Sequence, residues 1–363
     1  MAPSDARTDI EADEPSALTE RAARLLLWMV AGLVAAAAAA IALPHDPYLR
    51  YQQLSDTIHH RVQWSYERIH FDPTPIDVAV IGNSRLGAGV NAPALGRELS
   101  KRLGRTIHVV NLSTPQEGRN MHWVMARELL ETRPETSLVV MSLTETGPRR
   151  THPAFRNLAT ASDVLTTPAL INFDWLNDVA YLPYRQISLA IQSLAPGLFG
   201  LKTAFDPSTY SGPDLDTTGT ITLPGGQVLE REVAPPEPEL RAAAKKRIAG
   251  ASPQMLPDWA ADYEFVVERA YTRRIARLAA ATDTALAFLY LPIYTDHGGV
   301  DELGFYEAKG EIYLANQLID AAALYHDYGH LNRAGADELT RWLAARIADD
   351  VDSGAIHLGR EAK

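Results

Sequence analysis

Cysteine is absent from the 363 residues. That excludes disulfides and thiolate metal sites, and leaves the compartment open, since many exported bacterial proteins carry no disulfide. Positive charge is also in short supply: 34 Lys and Arg stand against 45 Asp and Glu, a formal net charge of −11. Such a balance argues against a broad nucleic-acid surface, so no nucleic-acid partner is expected. No repeat of fixed period runs through the chain. What is present is an apolar fraction of 46%, enough to bury a sizeable core. By length the chain is one large α/β domain with insertions, or two domains.

Residues 1–24 read as a cytoplasmic leader, its first part polar, mostly acidic and disordered. Residues 25–43 carry no charge and include Trp28 and a block of alanines. A run of this size matches the roughly 20 residues that a bilayer-spanning helix needs. Arg21 and Arg24 precede it, and Arg50, Arg61 and Arg68 follow it, so the distribution of positive charge does not decide orientation. The expectation is an uncleaved single-pass anchor in the inner (cytoplasmic) membrane, with the body facing the periplasm or cell exterior. A cleaved signal peptide is the alternative, because the alanine-rich end offers small residues; the long polar leader and Pro44 argue against it. A buried soluble helix is the third option, although the run offers no polar face to solvent. Residues 44–74 then read as a juxtamembrane helix or linker.

Residues 76–81 are rich in Val and Ile, the mark of a strand buried on both faces. The strand ends in Gly82-Asn83-Ser84. A serine at the start of the next helix has its own N–H aimed at a developing oxyanion, where the helix dipole favours negative charge. The same residues also suit an ordinary junction with Ser84 as helix cap. A second strand at 106–112 leads to a polar loop at 113–120 and a helix at 121–131. In that loop the Gly118 N–H is open to a reacting centre, and Asn120 is either a side-chain donor or a helix cap. A third strand at 137–143 leads to Glu145. Such strands with helices between them predict a parallel sheet, with sites at the carboxyl ends, where Ser84, Gly118 and Glu145 all fall.

Residues 148–260 read as an insertion, a lid or substrate-facing subdomain, with helices near 163–194 and a hairpin around Pro224-Gly225-Gly226. Its basic run at 241–248 reads as a solvated helix face. A helix at 263–281 and a fourth strand at 285–291 return to the body. Asp296 and His297 offer an acid/base pair or metal site, but with no further ligands at helical spacing a surface loop is the better reading. Residues 305–323 read as helical, 322–325 as a last short strand, 334–348 as an amphipathic helix, and 351–363 as a tail.

Asp327-x-x-His330 lies just before that last helix. The spacing lets one turn present both groups, with Asp327 accepting from Nδ1 and Nε2 facing a hydroxyl. A serine needs such a base at neutral pH. The competing reading is a turn aspartate and a histidine bonded to backbone.

Taken together, Gly82-Asn83-Ser84, Gly118 and Asn120, and Asp327-x-x-His330-Leu331-Asn332-x-x-Gly335 resemble the SGNH (GDSL-like) hydrolase superfamily. The chain looks most like its membrane-anchored branch, typified by alginate and cellulose O-acetylation proteins and the teichoic-acid D-alanyl transfer protein. The resemblance spans about residues 75–347, apart from the insertion. It implies an α/β three-layer sandwich with a mostly parallel sheet, forming a catalytic domain over residues 75–350. It also implies Ser84 as nucleophile, His330 as base and Asp327 as its orienter, with the Ser84 and Gly118 N–H groups as oxyanion hole. The family's third block usually supplies an asparagine after a strand; here the stretch reads Leu143-Thr144-Glu145-Thr146, leaving Asn120 or a threonine as substitute, or no donor at all. Asn83, where typical esterases have aspartate, is common in transferase-like members. The implied activity is O-acylation, in the first instance acetylation, of a cell-surface or exported polysaccharide. A multi-spanning membrane acyltransferase is the implied acyl donor, and no cofactor or metal is implied. The alternatives are a carbohydrate or lipid esterase, and a non-catalytic scaffold or glycan-binding subunit.

Overall fold

The computed structural model describes residues 17–143, 149–223, 226–250, 255–300 and 303–359. The first 16 residues of the leader, Glu145, the Pro224-Gly225 turn and the end of the tail lie outside the described residues.

In chain order the strands are β1 (Val78–Ile81), β2 (Val109–Asn111), β3 (Leu138–Ser142), the pair β4 (Thr220–Thr222) and β5 (Val228–Glu230), β6 (Ala285–Tyr290) and β7 (Glu311–Leu314). Five of them form one all-parallel sheet in the order β2-β1-β3-β6-β7, and β4 and β5 pair antiparallel on their own. The register sets Val80 against Asn111 on one side and Val140 on the other. Alternation along each strand fills two cores: Val78, Val80, Leu138 and Val140 face one, and Ala79, Ile81, Val139 and Met141 the other. This is why the strands read as continuous apolar runs instead of alternating ones.

The helices that matter to the site are α1 (Ala17–Ile41), α2 (Pro47–Gln52), α3 (Val62–His70), α4 (Ser84–Gly89), α5 (Ala92–Leu103), α6 (Arg119–Thr132), α7 (Trp175–Leu194), α8 (Val266–Ala281) and α9 (Arg333–Asp352). Val124 and Leu129 of α6, with Tyr271 and Ile275 of α8, close one core; Leu95 and Leu99 of α5, with Leu339 and Leu343 of α9, close the other. Strand order reverses at β1: the chain leaves it for β2 on one side and then crosses to β3 on the other. That reversal opens a crevice at the carboxyl end of β1, where α/β sheets bind ligands.

Thr19–Ile41, with mean hydropathy 2.0, is long and apolar enough to cross a membrane. The helix begins at Ala17, before the expected 25–43 run, and ends at Ile41. Residues 47–70 are not a free linker. Tyr48, Tyr51, Trp64 and Ile69 bury into the first core, so α2 and α3 belong to the body. The 305–323 reading as a helix is corrected. The stretch holds a short helix at Leu303–Glu307, the edge strand β7 and a single 3-10 turn at Asn316–Leu318. Gly310 explains the break: a Cβ there would collide with the Leu286 carbonyl, so only glycine lets the chain press against β6. Ala322–Leu324 is likewise a 3-10 turn, and the strand expected at 322–325 reduces to one bridge between Tyr325 and Leu331. His297 pairs with Asp320 at 3.4 Å with both side chains exposed, a surface contact. In the basic run, Arg241 bonds Glu237 at 2.6 Å on an exposed helix face.

Candidate active site

β1 ends at Ile81, and Asn83 caps the helix that follows, its Oδ1 accepting the Arg85 N–H at 3.0 Å. Ser84 is therefore the first residue of α4, not its cap. A first-turn N–H has no acceptor within its own helix. α4 is short and is held from below. Asn111, at the end of β2, donates through Nδ2 to the carbonyls of Leu86 at 3.0 Å and Val90 at 2.9 Å. The buried Arg85 donates to the Leu291 carbonyl just past β6 at 2.9 Å. Thr217, shortly before β4, donates its hydroxyl to the Gly87 carbonyl.

The opposite wall comes from the far end of the chain. The bridge between Tyr325 and Leu331 closes a small loop, and His326 N–H bonds the His330 carbonyl at 2.8 Å. Inside this loop Asp327 Oδ1 accepts the N–H groups of Gly329 at 2.8 Å and His330 at 2.9 Å. His330 Nδ1 lies 2.9 Å from each Asp327 carboxylate oxygen, and Nε2 lies 2.8 Å from Ser84 Oγ. A carboxylate only accepts, so Nδ1 carries the proton in the neutral imidazole and Nε2 accepts from the serine hydroxyl. Burial pushes the Asp327 carboxyl up. The bond and charge of His330 and the two backbone N–H groups outweigh it, and the group titrates below the ordinary carboxylate value.

Gly118 precedes α6 with φ 151°, and a Cβ there would stand 2.6 Å from His152 Cβ and 2.7 Å from Asn120 Oδ1. Backbone strain and close packing both demand glycine. Its N–H has no acceptor among the described residues. Asn120 is not among the residues that line the cavity holding Ser84. It is fully buried, Oδ1 accepts the His152 N–H at 3.1 Å, and Nδ2 has no partner among the described residues.

Ser84, Asp327 and His330 line one cavity of about 460 Å³. Ile221, Leu223 and Leu229 of the β4–β5 hairpin form part of its wall, so the hairpin helps enclose the site. Gln116 lies in the same wall with φ 74°, a left-handed conformation uncommon outside glycine. His152 holds this loop: Nε2 donates to the Pro115 carbonyl at 2.7 Å, and Nδ1 accepts the Ala154 N–H at 3.1 Å. Burial pulls its imidazole down to about 3, so it stays neutral in that role. Reading the sequence singled out none of Arg61, His152 or Arg231. His152 left no signal in spacing, and the two arginines reach the cavity from a turn and a hairpin far apart in the chain.

No protein-family model matches the chain, and no curated protein matches it in sequence.

Proposed function

We propose that the chain is a membrane-anchored, extracytoplasmic serine O-acyltransferase of SGNH type, a three-layer α/β sandwich that acylates a cell-surface or exported polysaccharide. The observation that carries this reading is the relay in which Ser84 Oγ, His330 and Asp327 meet at 2.8 and 2.9 Å although Ser84 and His330 stand 246 positions apart. The strand-order reversal beneath Ser84 and the two N–H groups of Ser84 and Gly118 support it.

In the first half-reaction His330 Nε2 takes the Ser84 proton as Oγ attacks the donor's acyl carbonyl. The oxyanion is met by the Ser84 and Gly118 N–H groups. Collapse breaks the bond to the leaving group, which receives the proton from His330, and an acyl-serine remains. In the second half a sugar hydroxyl gives its proton to His330 and attacks the acyl carbon; Ser84 leaves and recovers the proton. Asp327 holds the imidazole and its charge throughout. A single helix does not carry an acyl group across a bilayer, so a multi-spanning membrane acyltransferase is the donor we assign. The steps as proposed call on neither a cofactor nor a metal.

A serine-directed acylating probe should modify Ser84, as located by peptide mass, and acetyl-ester turnover should rise with an oligosaccharide acceptor. Turnover indifferent to acceptor would make the protein an esterase. Absence of labelling, with a Ser84→Ala phenotype equal to wild type, would make it a scaffold.

A further inference from the structure

Arg61, just before α3, and Arg231, just after β5, stand in the wall that holds Ser84. The Arg61 guanidinium lies 3.7 Å from where a Cβ on Gly87 would be, one turn along the helix that Ser84 begins. Neither guanidinium has an ion pair or a side-chain hydrogen bond among the described residues, and Arg231 Nη1 is buried without a partner. Burial pulls the Arg231 guanidinium down, the charge of Asp327 raises it without bonding it, and the carboxylates of the same wall already have other partners. Asp327 holds His330 and two N–H groups. Asp216 accepts from Asn91 at 2.8 Å and from Thr218, with Arg333 at 3.9 Å. Burial, and then the like charge of Arg231, pull the Arg61 guanidinium down to about 10, still charged at neutral pH. Arg61 is half-buried and Arg231 buried, and two like charges facing one cavity repel, an arrangement that an anion between them relieves.

We propose that Arg61 and Arg231 form an oxyanion subsite beside Ser84, which takes a carboxylate or phosphate carried by the sugar acceptor. A planar guanidinium matches either group bidentately. The proposal rests on the acyl-transfer reading for its acceptor, and its test does not need the chemistry. Binding is measured on the full chain in nanodiscs with Ser84→Ala, using cellotetraose, a glucuronate tetramer and cellotetraose 6-phosphate. One or both charged probes should bind at least about ten-fold tighter than the neutral one, and the better of the two identifies the group. Arg231→Gln should collapse that preference toward one, and Arg231→Lys should restore part of it. Should Arg231→Gln fail to fold, raised salt on the unmutated wall should weaken the charged probes alone. Equal affinity for all three probes, or a preference indifferent to both salt and Arg231, overturns the proposal. Failure of Ser84 to label would sink acyl transfer and leave this measurement standing.

A second inference rests on a separate surface. α7 packs against the end of α1, where Gln186 Nε2 donates to the Ile41 carbonyl at 3.0 Å and Ser193 Oγ accepts the Asp46 N–H at 3.1 Å. Its charged residues, Asp178 and Arg185, are buried. The opposite stripe of Leu176, Tyr184, Ile187, Ile191 and Leu194 is exposed and carries no charge. That stripe continues the exposed apolar surface of a helix long enough to span a bilayer. We infer that α7 lies in the membrane surface beside α1, its outer stripe among the lipids. Because the chain has no cysteine, Ile187→Cys or Ile191→Cys takes one spin label. In phosphatidylcholine nanodiscs both labels should be reached by oxygen and shielded from a water-soluble nickel chelate. Free access by the chelate overturns the inference, as does shielding from both reagents, which would mean a protein covers the stripe.

Discussion

At the scale of single residues the proposed acyl transfer depends on one hydroxyl having one base. Ser84→Ala or His330→Ala should each lower acetyl-ester turnover by about a million-fold, and Asp327→Asn by about ten-thousand-fold, since the three act as a unit. The Ser84→Ala, His330→Ala double variant should fall no further than either single one. Steady-state kinetics on folded variants checks this, and multiplying losses would break the unit. Gly118 is demanding in another way. Its φ is 151°, and a methyl group added there would stand 2.6 Å from His152 Cβ. Gly118→Ala should therefore cost about 2–4 kcal/mol of stability. Urea unfolding reads that cost, and a variant as stable as wild type would contradict the packing described.

At the scale of elements, the loop that presents His330 is fastened by the start of α9. Asn332 Oδ1 accepts the Gly335 N–H at 2.9 Å as helix cap, while Nδ2 donates to the Ala323 carbonyl at 2.8 Å. Asn332→Ala should lose about 1–2 kcal/mol from the cap alone. It should also lower turnover, because the Asp327–His330 loop then loses its side-chain tie to the Ala323 carbonyl. Asn332→Asp keeps an acceptor for the cap and loses the donor to Ala323, so it should recover stability more than turnover. Thermal unfolding and kinetics on the pair separate the two roles. This element was legible in the sequence because its parts are local: an aspartate and a histidine three positions apart, just ahead of a helical pattern. Strands β1, β2, β3 and β6 were legible because burial on both faces leaves apolar runs. β7 was not, because at a sheet edge its burial runs from exposed to buried within four residues and no run or clean period survives. Arg61 and Arg231 were illegible for a third reason: each is an ordinary surface-type residue until the hairpin folds over α4.

At the scale of the whole molecule, the protein buries histidines that it keeps neutral. His152 is 1% exposed and His122 4% exposed. Burial lowers both imidazoles, His152 to about 3, and Arg119 adds to the effect at His122. In the unfolded chain each titrates near the ordinary value of about 6.5. Below that pH the unfolded state takes up protons that the folded state refuses, so stability falls as pH falls. His152 should remove about 1.4 kcal/mol between pH 7.5 and 5.5, and His122 should act in the same direction. Asp327 adds nothing in this window, since its lowered carboxyl is ionised throughout. Urea unfolding of the full chain in detergent at pH 7.5, 6.5 and 5.5 should therefore show a loss that steepens below pH 6.5. His152→Gln, which retains an amide donor for the Pro115 carbonyl, should flatten the curve by one histidine's share while lowering stability at pH 7.5. A pH dependence unchanged by that substitution would mean that His152 takes up a proton in the folded state, and that the Gln116 loop beside Ser84 rests on a cation instead of a neutral ring.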